Sequence, residues 1–136
     1  MRKVLITLAL IGGIACGGES VSGPSTIAGT YSLRTLNGSS LPLLISLNGA
    51  DRYELTDDIL VLTSDSTFTQ TSHYRATTAG QVTTPATIKS GVFSLSGTQV
   101  TFGSAAAGGS TGTWSGNTLT VVQQSLYQTS TGVYAR

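Results

Sequence analysis

The most reactive side chains of this chain are one cysteine, Cys16, and one histidine, His73. A thiol or an imidazole can act as a nucleophile, a general base or a metal ligand, but each role needs partner residues at a suitable spacing. No such spacing is present around Cys16 or His73. His73 falls on the opposite face of its segment from Phe68 and Tyr74. We therefore expect His73 on the solvent-exposed surface rather than as a catalytic base, and the sequence predicts neither an enzyme nor a metal site.

Four acidic residues, Asp51, Glu54, Asp57 and Asp58, lie close together in the sequence. Calcium binds where several carboxylate and carbonyl oxygens converge in a suitably shaped loop. The segment lacks the D-x-D-x-D-G pattern of such loops. We expect a charged bulge and loop that discourages pairing at a sheet edge, with calcium binding as the alternative.

Large aromatic side chains recur at alternating positions, which usually indicates packing in a hydrophobic core. The alternative is an apolar cavity, which an eight-stranded β-barrel is just wide enough to hold. Gln70 and Ser72 share the parity of Phe68 and Tyr74, so they face the same side of their strand. Polar groups there are costly unless they bond to each other, to water or to a ligand. The candidate cavity-lining residues are therefore Tyr31, Phe68, Gln70, Ser72, Tyr74 and Trp114.

The chain that carries these residues has the pattern of β-structure from Gly29 onward. Short alternating runs rich in Thr, Val, Leu and Tyr are separated by turn signals, and no segment has a helical period. Turns are predicted at Asn37-Gly38, Asn48-Gly49, Asp65-Ser66 and Ala79-Gly80. Pro85 interrupts residues 82–88, which indicates an edge or bulged strand.

One predicted strand needs a correction of its register. Tyr53 and Leu55 share one parity, whereas Leu60 and Leu62 share the other. An extra residue in a strand reverses the face that later side chains occupy, so a bulge near Asp57-Asp58 would give the strand one inward face.

The last third of the chain contains a small internal repeat. Residues 96–102 and 115–121 share the pattern S-G-x-x-apolar-T-apolar, and each follows an alternating segment. Each copy therefore predicts a β-hairpin.

The sequence as a whole predicts an all-β domain of about eight to ten strands. Because short turns join the strands in order, a single antiparallel up-and-down β-barrel is favoured over a Greek-key sandwich.

The N-terminal segment has the features of an export signal. Arg2 and Lys3 precede an apolar run over residues 4–14, which is shorter than the about 20 residues that cross a bilayer. The junction of residues 13–16 (GIAC) resembles the lipobox of bacterial lipoproteins, although Gly13 stands where a branched aliphatic residue is usual. The resemblance implies lipid attachment at Cys16. An ordinary secretory signal with a free cysteine is the alternative.

Three segments follow from these features. Residues 1–15 form the predicted lipoprotein signal peptide, 16–28 the lipidated cysteine with a flexible tether, and 29–136 the barrel domain. By the lipoprotein resemblance, Gly17 after the cysteine favours the outer membrane, facing the periplasm or the cell surface. The predicted signal peptide contains two of the seven basic residues, so five basic and six acidic residues follow it. Because nucleic-acid binding needs a basic surface, the sequence predicts none.

The barrel segment resembles the small lipocalin-like domains of bacterial lipoproteins. The matching elements are residues 29–33 (GTYSL), 60–62 (LVL), 65–68 (DSTF), the two hairpins and the C-terminal 133–136 (VYAR). Tyr31 replaces the tryptophan of lipocalins, and Ser66 replaces the glycine of the family's D-G-T-F element. The resemblance implies that Arg136 stacks on Tyr31; a C-terminal arginine exposed to solvent is the alternative.

Together these patterns predict a monomeric, non-catalytic lipoprotein of the cell envelope. Its barrel would bind a small apolar or amphipathic ligand without any cofactor, and its lipid anchor would hold it at a membrane. The alternative is an envelope interaction or structural module whose barrel is filled and whose outer surface binds protein.

Overall fold

The computed structural model describes residues 26–103, 109–124 and 128–136, so Cys16 and the predicted signal peptide lie outside the described residues. The described chain is all-β, with strands β1 Gly29–Leu36, β2 Ser39–Ser40, β3 Leu43–Asn48, β4 Asp51–Leu62, β5 Thr67–Thr78, β6 Gln81–Thr83, β7 Ala86–Ser96, β8 Gln99–Phe102, β9 Ser110–Ser115, β10 Thr118–Gln124 and β11 Thr129–Ala135. Within this part of the chain, no helix is long and apolar enough to cross a membrane.

Eight of these strands close into an antiparallel up-and-down barrel. The ring runs β1, β4, β5, β7, β8, β9, β10 and β11, and β1 pairs with both β11 and β4. Each ring strand lies beside the next ring strand in the sequence. The predicted fold class is confirmed, and closure removes the unpaired edges that an open sheet would expose.

The barrel is closed at one end and open at the other because β4 changes its partner along its length. Residues 59–62 of β4 pair with β1, whereas residues 51–55 pair with β3. The short strand β2 pairs instead with residues 35 and 36 of β1. We call the end where β1 and β4 pair the closed end, and the end where they part the open end.

The predicted bulge in β4 is confirmed. The register against β5 shifts between Leu55 and Asp57, which leaves Thr56 as the extra residue. Leu55 faces inward before the bulge, and Leu60 and Leu62 face inward after it, all three buried. The same shift turns Asp58 into the barrel, where it is only 3% exposed.

The predicted turns connect the strands where the sequence signals them. Asn37 and Gly38 both have positive φ, 51° and 79°, and form the two-residue turn between β1 and β2. Pro85 lies in the break between β6 and β7, which both pair with β5. Both copies of the sequence repeat form hairpins, β7–β8 and β9–β10.

Ser66 adopts a φ of 66°, the left-handed conformation for which the resembled family uses glycine. The Asp65 carboxylate holds this turn by accepting hydrogen bonds from the Thr67 amide at 3.2 Å and the Thr67 hydroxyl at 2.9 Å. The Thr63 hydroxyl also donates to Asp65 and is the main reason that the pKa of Asp65 is lowered.

The closed end is packed and capped. Tyr31 is fully buried there, and the Arg136 guanidinium lies 5.4 Å from the centre of its ring, which is the contact that the resemblance implies. Arg136 also donates hydrogen bonds to the carbonyls of Thr26 at 3.0 Å and Ala28 at 2.9 Å. The Tyr31 hydroxyl donates to the Ile27 carbonyl at 2.8 Å. Residues 26–28, which the sequence assigns to the tether, thus pack against the barrel.

Candidate functional site

A cavity of about 250 Å³ occupies the open end of the barrel. Its wall combines apolar, aromatic and polar side chains from β1, β3, β4, β5, β10 and β11, namely Leu33, Leu36, Ile45, Tyr53, Leu55, Asp58, Gln70, Ser72, Tyr74, Val121, Gln123, Ser130 and Tyr134, with Gly132. An apolar cavity of about 150 Å³ is large enough to bind benzene. The space is therefore sufficient for a small organic ligand.

The cavity extends toward the rim of the barrel. An outer space of about 540 Å³ shares Leu36, Ile45, Gln123 and Ser130 with it and is also lined by Lys89. A much smaller space of about 10 Å³ lies beside Phe68 and also borders Gln70 and Tyr134. The shared lining residues place the outer space next to the cavity, on the side of the barrel rim.

Among the described residues that line this cavity, Asp58 is the only acidic one. Its carboxylate accepts a hydrogen bond of 2.5 Å from the Ser72 hydroxyl, which lies directly opposite on β5. The Gln70 amide nitrogen lies 3.1 and 3.0 Å from the two carboxylate oxygens. Ser72 and Gln70 thus both donate to this carboxylate.

Tyr134 completes the group around Asp58 from another side of the barrel. Its hydroxyl donates to Asp58 Oδ1 at 2.9 Å and accepts from the Gln70 amide at 3.0 Å. Burial, and next the nearby Asp58 charge, raise the pKa of Tyr134, so the phenol stays protonated and able to donate. Gly132 gives the ring its room, because a Cβ there would lie 2.9 Å from Tyr134 Cε2.

The negative charge of Asp58 is met by neutral groups. None of the residues that line the cavity is basic, and Lys89 lines only the two adjoining spaces. Hydrogen bonds satisfy the carboxylate, since no buried side-chain nitrogen or oxygen of the described residues lacks a partner. As lined by the described residues, the cavity thus has a negatively charged floor and no cation of its own.

An aromatic pair forms one wall of the cavity. The rings of Tyr53 and Tyr74 stack with centroids 4.9 Å apart and an interplanar angle of 15°. Both residues are partly buried. This arrangement presents aromatic surface beside the carboxylate site.

The residues that the sequence singled out lie in different parts of the barrel. Gln70, Ser72 and Tyr74 line the cavity, and Phe68 lines the small space next to it. Tyr31 and Trp114 lie at the closed end instead, where the Trp114 indole donates to the Gly116 carbonyl at 2.7 Å. Parity along a strand identifies the inward face, but it carries no information about depth in the barrel.

The acidic group of the sequence does not act as a unit. Glu54 is ion-paired with Arg75 at 2.6 Å and Arg52 at 3.0 Å, and the Arg75 contact is the main cause of its lowered pKa. Asp51 accepts from the Ala79 amide at 2.9 Å. The expected charged bulge and loop at a sheet edge is therefore not what forms at Glu54 and Asp58, because both are buried within strand β4 and held by specific partners.

Asp57 remains on the outer face, as does His73. The two side chains lie 3.6 Å apart, and that of His73 is 45% exposed, which confirms the expected surface position. Over residues 26–103, 109–124 and 128–136, no group of three or more His, Cys, Asp or Glu side chains is arranged to hold a metal ion.

Sequence reasoning missed Asp58 and Tyr134 as site residues. The signal for Asp58 was present, because it has the parity of Leu60 and Leu62 beyond the bulge. Tyr134 gave no such signal, since its partner is 76 residues away.

Comparison of the chain with protein-family models, with curated proteins and with solved structures finds no match in any of the three.

Proposed function

We propose that this protein is a non-catalytic binding protein that takes a small amphipathic ligand into the open end of its barrel. The observation that carries the proposal is the cavity of about 250 Å³ that combines apolar and aromatic walls with one buried carboxylate group. Ligand sites in proteins typically combine apolar and aromatic side chains with placed polar groups that orient the ligand. A barrel that serves only as a scaffold would instead be filled with side chains.

A second role, protein contact through the outer surface, is favoured by one separate observation. Ile88 and Val92 on β7 are 71% and 61% exposed. Apolar side chains of that size on an outer face are typical of contact surfaces when they form a patch. The cavity makes ligand binding the better supported function of the two.

The proposed location is the cell envelope, with Cys16 as the point of lipid attachment. The support is the basic start, the apolar run and the lipobox-like residues 13–16. Replacing Cys16 with serine should release the protein from the membrane fraction, since no thiol would be left to acylate. Retention of the Cys16→Ser protein in membranes would contradict the anchor.

Native mass spectrometry tests the binding proposal. The protein is incubated with a bacterial lipid extract, and a discrete added mass is expected. Ser130→Trp should abolish that mass, because Ser130 lines both the cavity and its outer space. Ser94→Trp is the matched control, since Ser94 is exposed on β7. An unliganded wild-type protein, or an equal added mass in Ser130→Trp, would contradict binding in the cavity.

A further inference from the structure

We infer that the ligand of this cavity carries a positively charged head, a primary or secondary ammonium group, which the Asp58 carboxylate receives. This inference rests on the proposed function and names the chemical class of its ligand. The reason is charge: Asp58 faces the cavity, and every side chain that contacts its carboxylate is neutral. A cationic ligand would supply the counter-charge that the lining residues lack.

The arrangement of donors leaves a place for such a head. The Gln70 amide nitrogen has two hydrogens but lies within 3.0 to 3.1 Å of three oxygens, two on Asp58 and one on Tyr134. At least one of those contacts is therefore shared and weak. An ammonium group can take over a carboxylate contact from Gln70 while Ser72 and Tyr134 keep theirs.

The rest of the cavity suits the remainder of an amphipathic amine. Leu33, Leu36 and Ile45 offer apolar surface for a short alkyl tail. The stacked rings of Tyr53 and Tyr74 add aromatic faces, which attract cations. An anionic amphiphile such as a fatty acid would place its carboxylate in the same cavity as Asp58, and like charges in a partly buried site repel.

The test is a calorimetric comparison of three probes of equal tail length, octylamine, octanol and octanoate, in detergent-free buffer at neutral pH. Octylamine should bind at least about tenfold more tightly than octanol, because both heads can donate a hydrogen bond to Asp58 but only the ammonium adds the attraction of an opposite charge. Octanoate should bind more weakly than octanol. Equal affinity for octylamine and octanol in the wild-type protein would overturn the inference.

Two variants locate the preference. Asp58→Asn keeps the size of the side chain and removes its charge, so the preference for octylamine over octanol should fall to within about threefold. Asp57→Asn is the matched control, because Asp57 lies next in the sequence but on the outer face, and it should keep the full preference. A preference that survives in Asp58→Asn would overturn the assignment to Asp58.

The outcomes separate the inference from the function on which it rests. If octanol binds in the cavity and octylamine binds no better, the amine inference fails and the proposed function stands. If none of the three probes binds the wild-type protein, both fail. The wild-type comparison needs no variant, so it decides the inference even if Asp58→Asn folds poorly.

Discussion

Tyr134 and Asp58 stand 76 residues apart in the sequence, on strands that are not neighbours in the barrel, and are joined by a hydrogen bond of 2.9 Å. β11 and β4 are both paired with β1, so the bond crosses the interior behind that strand. It closes the floor of the cavity and fixes the position of the carboxylate. The open end of the barrel therefore has a defined polar group rather than a loosely packed interior.

Removing the Tyr134 hydroxyl should destabilise the barrel. In Tyr134→Phe, Asp58 loses a buried donor, and we expect the free energy of unfolding to fall by about 1–3 kcal/mol. Urea denaturation measures this difference. Tyr53→Phe is the control, since Tyr53 is only partly buried and keeps its stacking; it should change the free energy by less than about 0.5 kcal/mol. Equal stabilities of the two variants would contradict a structural role for the Tyr134–Asp58 bond.

Alkaline pH should lower the stability of the fold through the same tyrosine. Burial raises the pKa of Tyr134 above its ordinary 10.0, so the folded protein holds the phenolic proton more tightly than the unfolded chain. This contribution to stability is complete below pH 10.0 and is lost as the pH rises above it, because the unfolded chain then releases the proton first.

Unfolding by urea at increasing pH checks this dependence. Above pH 10.0 the free energy of unfolding should decline less steeply in Tyr134→Phe than in the wild-type protein. Some decline should remain, because buried Tyr31 also has a raised pKa. Phenolate absorbance offers a second check. If the Tyr134 phenol of the folded wild-type protein ionised near pH 10.0, its hydroxyl could not be buried.

The turn between β4 and β5 should become more stable when Ser66 is replaced by glycine. Ser66 has a φ of 66°, and the left-handed region costs a non-glycine residue about 1–2 kcal/mol. Glycine would remove this cost, but its greater freedom in the unfolded chain offsets part of the gain. We therefore expect the free energy of unfolding to rise by about 0.5–1 kcal/mol. Thermal unfolding measures it. Ser64→Gly, at a neighbouring position without positive φ, should give no gain; equal gains would contradict relief of strain at Ser66.

Arg136 should contribute to stability by capping the closed end. Arg136→Ala removes the cation above Tyr31 and the bonds to the carbonyls of residues 26 and 28, so we expect a loss of about 1–2 kcal/mol. The stability of Arg136→Lys should lie between those of the wild-type protein and Arg136→Ala, since lysine keeps the charge but not the planar donor group. Arg34→Ala, on the exposed face of β1, is the control. An Arg136→Ala protein as stable as that control would mean that the cap contributes nothing.

Most of the ring could be predicted from the sequence because its signals are local. Turn pairs such as Asn37-Gly38 and the repeated S-G hairpins define where strands end. The conflict of parity between Leu55 and Leu60 predicts the bulge, because only an extra residue lets both face inward. Closure of the ring then follows from the order of the strands.

The cavity could be predicted only in part because it depends on contacts between distant strands. The parity that Gln70 and Ser72 share with Phe68 indicates that they face inward, but parity does not give the depth of a residue in the barrel. Tyr31 also faces inward, but it lies at the closed end, away from the cavity, where Arg136 covers it. The change of partner along β4, which opens the barrel, is likewise a tertiary event that no local pattern encodes.

The most direct test of ligand binding inside the barrel is an amide NMR titration of the protein with octanol. We expect progressive shifts at Gln70, Ser72 and Gln123, which line the cavity, and unchanged signals from Tyr31 and Leu119, which are buried outside its lining. Shifts confined to the outer-face residues Ile88 and Val92, or no shifts at all, would contradict a binding site within the barrel.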